Sequence, residues 1–201
     1  MEAKDQYKTV EHPATGIFRD KGSKFIAYIY PVSADTEIKP ILMQLKAEHP
    51  KARHHCWAYR LGMDTSNYRL NDDGEPSGTA GRPILNSLLS AELTNVFVVV
   101  VRYFGGTLLG VPGLINAYKS ATIDAIENSN IVEKTENLVY NVRCDYLQLN
   151  QVMRIIKESS LIVKSQTFDL ECSFLLEVRK ALGQELLGKL NQVDQLQIEQ
   201  L

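Results

Sequence analysis

Three cysteines in 201 residues, Cys56, Cys144 and Cys172, are too few and too scattered for a disulfide framework or a CxxC metal site. They read as small buried or half-buried side chains. No apolar run approaches the roughly 20 residues of a membrane span, and the opening MEAKDQYKTVEHPATG has no apolar core for a secretory signal, so a cytoplasmic protein with no membrane partner is expected. Positive charge is not in excess either: 22 Lys and Arg face 24 Asp and Glu, for a net charge of −2, and neither half of the chain is a polycation. Affinity for nucleic acid scales with the phosphates neutralised, so any RNA contact must rest on a local patch, and no DNA partner is expected. GxGxxG, Walker A, EF-hand and GxSxG motifs are missing as well, as are low-complexity tracts and sequence repeats.

What is present is a regular alternation of patterns. Thr15–Arg19 and Lys24–Tyr30 flank the turn Asp20-Lys21-Gly22-Ser23 and predict two opening strands. Ile38, Ile41, Leu42 and Leu45 recur at helical spacing, with Pro40 tolerable only in a first turn, so a helix starts between Asp35 and Lys39 and ends at His49-Pro50. His54–Arg60 is a third strand, running into a long polar loop from Gly62 to Arg82. A short helix from Pro83 to Ala91, a strand over Val96–Val101 covered on both faces, and a helix from Gly113 to Asn128 follow. Leu138–Cys144, Tyr146–Ser159, Leu161–Thr167, Cys172–Val178, Lys180–Leu190 and Gln195–Ile198 then alternate as βαββαβ, the ferredoxin-like order, with Leu149, Val152, Met153 and Ile156 turned inward. The fold class expected is α+β in two domains, residues 1–136 and 137–201.

Two stretches carry candidate chemistry. The first is Val99–Gly113, where a buried strand ends in Arg102-Tyr103-Phe104-Gly105-Gly106, with Gly110 beyond. Glycine admits positive φ and close approach, Arg102 offers a planar donor fork to a phosphate or carboxylate, and an aromatic offers a stacking face. A guanidinium projecting from the strand end to hold an anion is the expectation on which this reading depends. The second is the loop Asn71–Pro83, where Asp72, Asp73 and Glu75 could act as acid and base or hold Mg²⁺ through water, or could simply satisfy turn backbone, and where Arg82 could meet phosphate. His54 and His55 are adjacent on a strand and point to opposite faces, so one can face a site while the other packs. No catalytic residue, no metal and no cofactor is assigned.

At these residues the sequence resembles a known group. Asp72–Pro83, followed by Val99–Gly110, resembles the signature of the YigZ/Impact family, and His54–Tyr59 is similar to its upstream segment; the likeness covers most of residues 15–130. The resemblance implies an N-terminal α/β domain like the second domain of ribosomal protein S5. It also implies a ferredoxin-like C-terminal domain akin to the last domain of elongation factor G, as in bacterial YigZ-type members, and a link to translation. In eukaryotes the family's members modulate a starvation-sensing kinase pathway through a ribosome-associated partner; this chain is expected to lack their N-terminal RWD-type domain.

Two function classes follow. One is a non-enzymatic binding module that contacts RNA, the ribosome or a translation factor through the Arg/Gly-rich loop. The other is an enzyme on a small phosphorylated or carboxylated substrate, including the proline-dipeptidase label some family members carry; a dinuclear peptidase would need about five clustered ligands, which the four histidines and one acidic loop do not readily supply. A concavity of some hundreds of Å³ around the acidic loop, one histidine and Arg102 would favour the enzyme, and a flat surface would favour binding. Oligomeric state is not legible.

Overall fold

The structure, a computed structural model, describes residues 5–64 and 66–201. The chain divides into two compact units, residues 7–134 and a smaller one of the C-terminal residues from 135 onward with the N-terminal end of the chain. The N-terminal end thus departs from the expected first domain, and the cause is specific: Asp5 accepts from Arg179 Nη2 at 2.8 Å, from Arg179 Nε at 3.2 Å and from the Ala181 amide.

The larger unit begins with β1 (Gln6–Val10), β2 (Ala14–Asp20) and β3 (Ser23–Pro31). Lys21 and Gly22, both at positive φ, close the β2–β3 hairpin. A 3₁₀ turn at Asp35–Glu37 leads into α1 (Ile38–Glu48), with Pro40 in its first turn, then β4 (His54–Arg60) and β5 (Tyr68–Asn71). The helices α2 (Gly81–Ser90) and α3 (Gly110–Glu127) bracket β6 (Val96–Tyr103), and β7 (Ile131–Thr135) pairs with β1 in a two-stranded ribbon. Sequence patterning missed β1, β5 and β7. They are short, and β5 and β7 are largely exposed, so no apolar period marks them.

The main sheet has the order β2-β3-β6-β4-β5, with all pairs antiparallel. β6 is its centre and is buried on both faces, because α2 and α3 cover one side and α1 the other. Val96, Val98 and Val100 join the core under α2 and α3, while Phe97, Val99 and Val101 join the core under α1. This alternation decides the site: Arg102 continues the α2/α3 face, and Tyr103 the α1 face.

The smaller unit holds β8 (Asn137–Cys144), α4 (Leu149–Glu158), β9 (Ile162–Phe168), β10 (Cys172–Arg179), α5 (Gly183–Leu190) and β11 (Gln197–Gln200). Its sheet order β11-β8-β10-β9, antiparallel throughout, is the ferredoxin-like arrangement. On α4 the buried residues are Val152, Ile155 and Ile156, whereas Met153 is 42% exposed, which corrects its expected inward placement. No helix among the described residues is long and apolar enough to cross a membrane.

Candidate functional site

At the C-terminal end of β6 the polar residues form a buried chain. Arg102 is 6% exposed, and its Nη1 donates to Glu75 Oε1 at 2.6 Å. Tyr118 on α3 donates its hydroxyl to the same oxygen at 2.7 Å, and the Cys56 thiol on β4 lies 3.3 Å from that hydroxyl. Phe25 and Phe104 stand on the guanidinium, with ring centroids 5.4 and 5.6 Å from Cζ. Burial pushes the Cys56 thiol and the Tyr118 phenol far above their ordinary pKa ranges, so both stay protonated. The expectation of a free guanidinium is corrected here. The charge of Arg102 is spent on Glu75, because a cation this deeply buried is costly without a partner.

Above this pair lies a cavity of ≈ 390 Å³. Arg102 and Glu75 contribute to its floor, Arg53 and His54 come from the start of β4, and Phe104, Leu108, Gly110 and Val111 come from the loop and first turn of α3. Antiparallel register sets His54 opposite Arg102. Arg53 is exposed and makes no ion pair or hydrogen bond with the described residues. Arg102 Nε is buried without a hydrogen-bond partner among them. His54 Nδ1 lies 2.8 Å from the Asp73 carbonyl oxygen, which can only accept, so Nδ1 carries the proton and Nε2 of the neutral ring keeps its lone pair. Gly74, at φ +86°, passes beneath that imidazole.

The acidic loop does not converge on a ligand. Asp72 accepts from the amides of Gly78, Ala80 and Gly81 at 2.9, 3.0 and 2.8 Å, capping α2. Asp73 accepts from the His55 amide at 2.7 Å, with Lys46 3.8 Å from its other oxygen. Only Glu75 reaches the cavity. Among the described residues no three His, Cys, Asp or Glu side chains are grouped to hold a metal.

The other candidates disperse as strand geometry requires. His55 is 5% exposed and packs on the opposite face from His54; burial holds its pKa below the usual histidine range, with Asp73 pulling the other way. Tyr103, on the α1 face, pairs its hydroxyl with His49 Nδ1 at 2.8 Å. Gly105 presses on the Gly22 backbone so closely that a Cβ there would overlap it, and Gly106 takes φ +89° to turn toward α3. Arg82 lies in a different place, the groove between α2 and α3. Arg53 was missed; its signal was adjacency to His54 at a strand start.

Residues 21–126, more than half of the chain, match the Impact N-terminal domain. The chain belongs to the Impact family. It is 37% identical to an "IMPACT family member" of Haemophilus influenzae over 175 residues, 84% of this chain and 85% of that relative. It is 36% identical to "IMPACT family member YigZ" of Escherichia coli over 146 residues, 72% of each. A solved structure described as a crystal structure of an hypothetical protein superposes with a TM-score of 0.74 at 30% identity, covering 98% of this chain and 97% of that one. The likeness to that solved structure therefore spans both units.

Proposed function

We propose that this Impact family member is an RNA-binding module in the regulation of translation, and that the cavity at the end of β6 receives one unstacked nucleotide of an RNA or ribosomal partner. Arg53 and the opening turn of α3 meet the phosphate, while Phe104 offers its face to the base. Family membership supports the link to translation. The observation that carries the reading is the uncompensated Arg53 at the rim of a cavity whose other arginine is neutralised. Gly106 and Gly110 present bare backbone at two points of the loop.

The test is fluorescence anisotropy of a labelled single-stranded RNA against the wild type, Arg53→Ala and Phe104→Ala at two salt concentrations. Arg53→Ala is expected to weaken binding and lower the salt slope by about one. Equal, salt-insensitive binding by all three proteins removes the reading.

His54 favours a second reading. Its free Nε2 at a cavity wall, oriented by the Asp73 carbonyl, is placed as a general base for a small phosphorylated or carboxylated substrate bound by Arg53. Hydrolysis of a phosphoester panel that disappears in His54→Gln with the fold intact supports this enzyme; a panel left intact by the wild type rejects it.

A further inference from the structure

Arg82, expected to share an anion with Arg102, lines a separate groove of ≈ 620 Å³ between α2 and α3. Its walls are two stripes at four-residue spacing. Arg82, Asn86 and Ser90 run along α2, and Ile115, Lys119 and Ile123 run along α3. Pro83, Ala91 and Ile126 add aliphatic surface, and Ile115 is 39% exposed. Arg82 and Lys119 are exposed and bond to none of the described residues. Among the described residues lining the groove, Glu127 is the one carboxylate against these two cations.

Arg82 stands in the first turn of α2, whose opening amides already donate to the Asp72 carboxylate. The groove has no aromatic face on which a base could stack, so it does not suit a nucleotide. Its aliphatic walls suit an alkyl chain, and its volume lies in the range of small-molecule sites.

We infer that the α2/α3 groove binds an aliphatic carboxylate, with Arg82 and Lys119 on the carboxylate and Ile115, Ile123 and Ile126 along the chain. Charge complementarity selects this occupant: a neutral alkyl ligand leaves both cations without a partner, and an alkyl cation repels them. The inference is independent of the RNA reading, since none of these residues lines the cavity at the end of β6.

The probe is sodium decanoate, titrated calorimetrically into the whole chain, with acetate, decanol and decyltrimethylammonium as parallel arms. Saturable decanoate binding is expected, with acetate, decanol and the cation weaker. The Arg82→Ala/Lys119→Ala double variant should bind decanoate at least about tenfold more weakly, the effect of losing charge-assisted bonds. Ile123→Asp, read beside far-UV circular dichroism, should lose it through the wall instead of the head group. Decanol binding as tightly as decanoate, wild-type affinity in the double variant, or no saturable binding overturns the inference.

Discussion

Each unit ends a central strand with an arginine held by a carboxylate, and the two pairs differ in what surrounds them. At the end of β6, Arg102 and Glu75 are both buried, joined by one short bond, with Tyr118 sharing the acceptor. At the end of β10, Arg179 is 46% exposed and grips Asp5 through two nitrogens. The first pair floors a cavity. The same kind of pair therefore does different work: one locks the interior beneath a cavity, the other fastens Asp5 to its unit's sheet.

The sharpest way to break this contrast is to remove one partner from each pair. Glu75→Ala strands Arg102 and the Tyr118 hydroxyl inside the fold and should cost about 3–5 kcal/mol in urea unfolding, while Glu75→Gln, which keeps an acceptor, costs less. Arg179→Ala should cost less than Glu75→Ala and respond more to salt, because its guanidinium is partly solvated. Asp72→Ala, which uncaps α2 without exposing a buried charge, should fall between them at about 1–2 kcal/mol.

Acid distinguishes the units by pH range. Arg179 holds the Asp5 carboxyl below its usual pKa, so its contribution is fully present above about 3.9 and is lost as pH falls through the lowered folded value. In the larger unit burial lowers the His55 pKa, so the unfolded chain takes a proton first. That contribution is present above about 6.5 and lost as pH falls from there toward the folded value. Unfolding followed by probes in each unit should show the larger one weakening first; simultaneous weakening only near the carboxylate range would remove the role given to His55. The smallest effect expected is that of Arg53→Ala on stability, near zero, since Arg53 bonds to none of the described residues.

Much of this architecture was legible in the sequence because burial leaves a period. Val96–Val101 announced a strand covered twice, and the alternation Cys172, Phe174, Leu176 announced β10. The chemistry was less legible because pairing is set in space. Nothing in the local sequence tells Arg102 that Glu75, 27 residues earlier, will meet it. Three acids in one loop read as a cluster, yet Asp72 turns to the amides of α2, Asp73 to the strand of the histidines, and Glu75 inward. Arg53 passed unnoticed because an exposed arginine ahead of a strand resembles any solvated charge until a cavity forms beside it.

The central claim is that the Arg102 charge is consumed by Glu75 and that Arg53 meets the ligand. RNA affinity of Arg53→Ala should be set against that of the double variant Arg102→Met/Glu75→Gln, which removes the buried charges and keeps an acceptor for Tyr118, each compared at equal folded fraction. The account predicts weakened binding with a shallower salt dependence for Arg53→Ala and near wild-type binding for the double variant. Retained binding without Arg53, and binding lost with the buried pair, would contradict it.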